Sequence, residues 1–171
     1  MTPIKKIQNL LEEAQAIAKD ELGLENIFYN ERFVEMFMAD ALGHTYGNNT
    51  QGGDAIDQND KPVEYKAINQ RSKSKSGTFQ FHWLSENKIA KYGETDKMFF
   101  AIRDGVTLDR VYELPTSTVM PILEAKATGD KSIHGHAGFN EKKLKEQSLI
   151  EIKNLNNFVI NKQVSTLIIK K

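Results

Sequence analysis

Apolar residues recur at helical spacing near the start of the chain. Thr2 suits the N-cap, Pro3 the first helical position and Gly23 the residue after the last turn. The pattern predicts an amphipathic helix over about residues 3–22, and a stripe of this kind most often packs on the protein's own core. The stripe consists of Ile4, Ile7, Leu10, Leu11, Ala14, Ile17 and Ala18.

A second helical pattern covers about residues 31–42 and ends at Gly43. Its aromatic and methionine side chains are expected in the core, on a face formed by Phe33, Val34, Phe37, Met38, Ala41 and Leu42. Further along, Ser85 caps a short helix, Asp104-Gly105 forms a hairpin turn, and Pro121 interrupts or kinks a helix. Runs of strands flanked by helices predict an α+β fold with a mixed central β-sheet. The strands are expected at 78–83, 97–103, 106–114, 149–153 and 164–169, and the later helices at 85–92 and 116–127.

Length and composition indicate one globular domain over residues 1–171. A hydrophobic content of 39% in 171 residues is enough to form a core without a second domain. The chain contains no cysteine, so disulfide and thiolate metal sites are excluded. It has no apolar signal segment or membrane-length apolar run, so we expect a cytoplasmic protein without membrane contact. Net charge is zero, and any nucleic-acid contact must therefore come from local basic clusters such as 71–75 and 142–145.

The segment from residue 53 to residue 66 has the strongest catalytic character. In an extended strand, residues two apart share a face, so Glu64 and Lys66 project together while Tyr65 points away. A three-residue connection at 58–60 places Asp54 opposite Glu64 across a hairpin. Two converging carboxylates stay ionised together when a hard cation lies between them.

Mg²⁺ fits this set because it takes one or two carboxylates, keeps several waters and binds phosphate oxygens. Asp54, Glu64 and the Tyr65 carbonyl are sufficient as metal ligands. Lys66 then orients the attacking water, lowers its pKa or stabilises charge on the phosphate. The alternative is an ordinary hairpin with a charged, solvated face.

Residues 54–57 and 64–69 resemble the PD-(D/E)XK signature as written in PvuII-type restriction endonucleases. Four further segments follow in the same order at nearly the same spacing, and the resemblance covers roughly residues 14–144. It implies a PD-(D/E)XK core, a homodimer partly built by the helix at 3–22, double-stranded DNA as substrate and a cognate DNA methyltransferase as functional partner. The four segments are Glu25-Asn26-Ile27-Phe28, Ile89-Ala90-Lys91-Tyr92, Phe100-Ala101-Ile102 and Val111-Tyr112-Glu113-Leu114.

The resemblance also implies roles for single residues. Asp54 and Glu64 match the metal-holding acids, and Lys66 matches the catalytic lysine. Asn30 stands where the family has an aspartate that touches the minor groove. The base-reading histidine run is reduced to His82, and the paired asparagines become Asn140-Glu141. The target sequence is therefore not transferable.

DNA contacts are also expected from the basic loop that carries Arg71, Lys73 and Lys75, since cations beside a phosphodiesterase site favour phosphate. Gln80 and His82 lie on the following strand. His136 lies in a loop at 128–138, where His134 and His136 offer a weaker zinc alternative. Structural roles are the alternative for His82, in the core, and for Asn140, as a helix cap.

Three functions are compatible with these residues. The first is a type II restriction endonuclease, a homodimer that cuts both strands of a short palindromic site with Mg²⁺. The second is a repair or junction nuclease of the same fold that responds to DNA shape. The third is a non-catalytic DNA-binding module, which has no need to keep a like-charged pair such as Asp54 and Glu64.

Overall fold

The computed structural model describes residues 1–47, 53–70, 77–126, 135–142, 144 and 150–153. Its helices are α1 (Pro3–Leu22), α2 (Arg32–Leu42), α3 (Glu86–Gly93) and α4 (Thr116–Glu124), and a 3₁₀ turn at Tyr29–Glu31 precedes α2. Its strands are β1 (Thr45–Tyr46), β2 (Ala55–Ile56), β3 (Pro62–Asn69), β4 (Thr78–Leu84), β5 (Lys97–Asp104), β6 (Thr107–Pro115), β7 (Gly135–Asn140) and β8 (Ile150–Lys153). None of the helices so described is long and apolar enough to cross a membrane.

The strands form a mixed six-stranded sheet in the order β1-β2-β3-β5-β6-β8. Strands β3 and β5 are parallel, whereas the other neighbours are antiparallel. Strands β4 and β7 form a separate antiparallel ribbon. The α+β class and the mixed sheet predicted from the sequence are confirmed.

Helices cover both faces of the central sheet, and the burial pattern of β5 shows this directly. Met98 and Phe100 pack in a cluster with α3, α4 and β4, while Phe99 and Ala101 pack in a second cluster with α2. Strand β5 is buried from Met98 to Arg103, as expected for a strand covered on both sides. This arrangement fixes the position of β3, its parallel neighbour, which carries the predicted catalytic residues.

Local signals fix the ends of the helices. The Thr2 hydroxyl accepts a hydrogen bond from the backbone N–H of Lys5, Pro3 occupies the first turn of α1, and Gly23 adopts a left-handed φ of 66°. Gly43 ends α2 in the same way with a φ of 68°. The Ser85 hydroxyl caps α3. These predictions from the sequence are confirmed.

Several predictions about position are wrong. Phe37 is 42% exposed instead of lying in the core, because α2 buries Val34, Met38 and Ala39. The polar, glycine-bearing segment 46–53 predicts a loop, but Tyr46 belongs to β1. The predicted loop at 128–138 ends in a strand, since Gly135–Asn140 forms β7 against β4. Helix α4 ends at Glu124 instead of residue 127, and Pro121 lies inside it without ending it. The strand predicted at 164–169 lies outside the described residues.

Candidate active site

The hairpin between β2 and β3 places Asp54 opposite Glu64. Ala55 pairs with Val63 and Ile56 with Pro62, so the register continues to Asp54 and Glu64. The backbone N–H of Asp54 donates to the Val63 carbonyl at 2.8 Å, and the Asp54 carboxylate accepts from the Tyr65 N–H at 2.7 Å. The face assignment made from strand parity agrees with this register.

Two residues of the hairpin make this register possible. The Asp57 carboxylate accepts hydrogen bonds from the N–H groups of Asn59 and Lys61 at 2.8 and 2.9 Å, which closes the turn. Burial acts to raise the pKa of Asp57, but these N–H donors outweigh it and hold the pKa below its ordinary value. At Gly53, a Cβ would lie 2.5 Å from the Val63 carbonyl oxygen, so glycine is needed for the chain to approach β3 this closely.

Glu64 and Lys66 share the cavity-facing side of β3. The Lys66 ammonium contacts the Glu64 carboxylate and donates to the Tyr65 carbonyl at 2.9 Å. It also lies 5.3 Å from the ring centroid of Phe81 and 5.5 Å from that of Tyr92. Burial acts to lower the pKa of Lys66, but the carboxylates of Glu64 and Asp54 outweigh it and raise the pKa above its ordinary value. Lys66 is therefore a charged donor at neutral pH.

Tyr65 anchors β3 from the opposite face. Its hydroxyl lies 2.7 Å from Nδ1 of His44, and its ring packs edge-on against Phe99. Burial lowers the pKa of His44 to about 4, so the imidazole is neutral at pH 7. Its Nδ1 can therefore accept a hydrogen bond from the Tyr65 hydroxyl. Because the Tyr65 side chain is held on this face, it is the Tyr65 carbonyl that contacts Lys66.

The predicted catalytic residues line a cavity of about 690 Å³ between α2 on one side and β4 with α3 on the other. Glu35 of α2 and Lys88 of α3 line it as well, and both were missed in the sequence. Each comes from a helix distant along the chain, so no local spacing connects either one with Asp54. The residues that line the cavity are Asn30, Glu31, Val34, Glu35, Met38, Gly53, Asp54, Glu64, Tyr65, Lys66, Ala67, Gln80, His82, Lys88, Lys91 and Tyr92.

Carboxylates crowd this cavity. Burial raises the pKa of Glu35 to about 7, and the charge of Asp54 adds to this effect. The Tyr46 hydroxyl donates to the Glu35 carboxylate at 3.0 Å, and this hydrogen bond acts to lower the pKa of Glu35. Burial also raises the pKa of Glu64 to about 7, against the opposing charge of Lys66. Such crowding is typical of a site that binds a cation.

The oxygen donors of the site suit a hard divalent cation. One ammonium already contacts the Glu64 carboxylate and the Tyr65 carbonyl, so two of the three predicted metal ligands reach a single cation position. Among the described residues, no three histidine, cysteine or acidic side chains lie close enough to share one metal ion. The predicted set of two carboxylates with a carbonyl leaves room for water and phosphate oxygens.

Three of the predicted DNA-binding residues line the same cavity. Gln80 and His82 alternate with the buried Phe79 and Phe81 along β4 and are exposed. Asn30 comes from the turn before α2, where it adopts a left-handed φ of 50°. The structure thus brings the candidate base-reading side chains next to the candidate catalytic ones.

Asn140 lies at the end of β7, where it is exposed and pairs with Thr78 across the ribbon. Cross-strand partners share a face, so it lies on the face that carries Gln80 and His82. His136 belongs to β7 rather than to a loop, and its side chain lies outside the described part of the chain. The predicted phosphate contacts Arg71, Lys73 and Lys75 also lie outside the described residues.

A family model described as Restriction endonuclease PvuII matches residues 1–154, which is most of the chain. No curated protein matches the chain at a significant level. The match agrees with the resemblance found around Asp54, Glu64 and Lys66, and those residues lie together in one cavity. The chain therefore belongs to the PvuII family of restriction endonucleases, site-specific nucleases that bind and hydrolyse DNA.

Proposed function

We propose that this protein is a homodimeric type II restriction endonuclease that uses Mg²⁺ to hydrolyse both strands of a short palindromic DNA site. The observation that carries the proposal is the single cavity that holds Asp54, Glu64 and Lys66 beside Gln80 and His82. A site that cuts a phosphodiester bond and reads nearby bases requires this proximity.

Each residue has a distinct role in this proposal. Asp54, Glu64 and the Tyr65 carbonyl hold the cation. When bound, Mg²⁺ supplies Lewis-acid polarisation of the scissile phosphate and lowers the pKa of water. Lys66, fixed by the Tyr65 carbonyl at 2.9 Å, orients the attacking water and stabilises negative charge on the phosphate oxygens. The rings of Phe81 and Tyr92 beside Lys66 limit the access of bulk water.

The β4–β7 ribbon is the proposed reading element. A two-stranded ribbon fits the major groove, where every base pair presents its own pattern of donors and acceptors. Gln80, His82 and Asn140 share the exposed face of this ribbon, and Asn140 has the amide suited to adenine. Asn30, on the far side of the cavity, suits a minor-groove contact.

Helix α1 supplies the argument for a homodimer. Within the described part of the chain its stripe is exposed from Ile4 to Leu11, and Ile17 is exposed as well, whereas Ala18 is buried. The interpretation that this stripe packs on the protein's own core is therefore wrong for most of its length. A second copy of α1 would cover apolar side chains that otherwise face water. A two-fold dimer also matches the symmetry of a palindromic site.

Digestion of a plasmid of known sequence tests the proposal. With Mg²⁺ we expect a fixed set of fragments, and run-off sequencing should place every cut inside one short palindrome. Excess EDTA should abolish cleavage. A cognate methyltransferase is expected in the same system, and methylation of the mapped site should protect the plasmid. Cuts at many unrelated sequences, or only at branched DNA, would instead indicate a shape-dependent nuclease.

A further inference from the structure

Lys88 lies in the catalytic cavity although it is neither a metal ligand nor the predicted catalytic lysine. It belongs to the first turn of α3, where its own backbone N–H donates to the capping hydroxyl of Ser85 at 3.3 Å. The helix start thus directs the side chain back over β4. Its ammonium donates to the His82 carbonyl at 2.9 Å and lies 5.8 Å from the ring centroid of Tyr92.

The ammonium of Lys88 has hydrogen-bonding capacity to spare. It carries three N–H donors, and within the described part of the chain it makes the single hydrogen bond to His82 and no ion pair. Lys66, which also lines the cavity, contacts the Glu64 carboxylate. Lys88 therefore lines the proposed DNA-binding cavity with donors that no carboxylate of the described residues engages.

The electrostatic surroundings favour an anion at Lys88. Burial and, after it, the positive charge of Lys66 lower the pKa of Lys88, while the charges of Glu64 and Asp54 act in the opposite direction. A cation bound by Asp54 and Glu64 would remove this opposing attraction. A negatively charged group close to the Lys88 ammonium would then stabilise its positive charge, and the DNA backbone carries one such group at every nucleotide.

We propose that Lys88 binds a backbone phosphate of the DNA strand that enters the cavity, as a second cationic contact opposite α2. The proposal rests on the proposed nuclease function and extends it. A phosphate contact carries no sequence information of its own.

Lys88→Met is the informative variant because it keeps most of the chain that packs on Tyr92 while it removes the charge and the hydrogen bond to the His82 carbonyl. Lys88→Arg should restore the charge. Lys126→Met is the matched control, since Lys126 is exposed beyond α4 and does not line the cavity. Equilibrium binding is measured between 50 and 200 mM KCl, in Ca²⁺ to prevent cleavage, with one duplex that contains the mapped site and one of random sequence.

For Lys88→Met we expect a shallower dependence of log affinity on log salt concentration. The magnitude of the negative slope should decrease by about 0.9 for each Lys88 in contact with DNA. Both duplexes should weaken by the same factor, and Lys88→Arg should recover the slope. An unchanged slope would overturn the proposal, as would a fall equal to that of Lys126→Met or a loss confined to the specific duplex. A wild-type protein that fails to cleave any plasmid would refute the proposed function, while the slope on the random duplex would still decide the role of Lys88.

Discussion

Glu35→Gln should stabilise the metal-free protein, by an amount that depends on pH. The ordinary pKa of this carboxyl is 4.5 and burial raises it to about 7 in the folded chain. Each pKa unit corresponds to about 1.4 kcal/mol, so the ionised side chain costs about 3 kcal/mol of stability well above pH 7. Glutamine mimics the protonated form and keeps an oxygen to accept the Tyr46 hydroxyl.

The direction of the pH dependence follows from proton binding. Between pH 4.5 and about 7 the folded chain keeps the Glu35 proton that the unfolded chain has lost, so wild-type stability falls as pH rises through this window. The gain from Glu35→Gln should therefore be under about 1 kcal/mol at pH 5 and approach about 3 kcal/mol at pH 8. Glu64 contributes a fall of its own, and its charge also raises the pKa of Glu35, so the difference between the two proteins includes the repulsion between these two carboxylates.

Urea unfolding in EDTA at pH 5 and pH 8 measures both values. Glu94→Gln is the control, because Glu94 is exposed beyond α3 and does not line the cavity. A gain from Glu35→Gln that is equal at the two pH values would refute the reasoning. So would a loss of stability at pH 8, because it would mean that the ionised form is favoured in the folded state.

Three further predictions concern the proposed function. Lys66→Ala should abolish cleavage while sequence-specific binding in Ca²⁺ persists, as measured by gel shift; a variant that cuts at near wild-type rate would contradict the role of Lys66. Asp54→Ala and Glu64→Ala should lose Mg²⁺-dependent cleavage, whereas Asp57→Ala should keep it and lose about 1–2 kcal/mol of stability with its turn hydrogen bonds; the reverse pattern in digests would contradict the face assignment. Sedimentation at micromolar concentration should give about twice the 19.4 kDa chain mass, and a monomer that cuts both strands would require another architecture.

Local determinants explain what could be predicted from the sequence. The bounds of α1 follow from Thr2, Pro3 and Gly23, whose side chains or backbone freedom act within one turn. The pairing of Asp54 with Glu64 follows from strand parity and the length of one hairpin. Both features depend on a few residues that are close together in the chain, so the sequence alone is enough to predict them.

Tertiary packing explains what could not be predicted. An amphipathic stripe shows that α1 has an apolar face but not what covers it, and this face turned out to be exposed. Glu35 is one of two acids on a helix of mostly apolar residues, and its place beside Asp54 depends on how α2 crosses the sheet. Lys88 is one of many lysines until Ser85 and Tyr92 fix its direction.

The charges in the cavity link the cation to the DNA. The charged side chains there that are not exposed are Glu35, Asp54, Glu64, Lys66 and Lys88, which give a net charge of −1 when all are ionised. A divalent cation changes this to +1, and one phosphodiester brings it to zero. Neither ligand alone balances a buried site, where unbalanced charge is costly. Each should therefore strengthen the binding of the other, by the same factor. Titration of Ca²⁺ with and without a duplex that contains the mapped site measures this factor, and equal affinities would show that the two ligands bind independently.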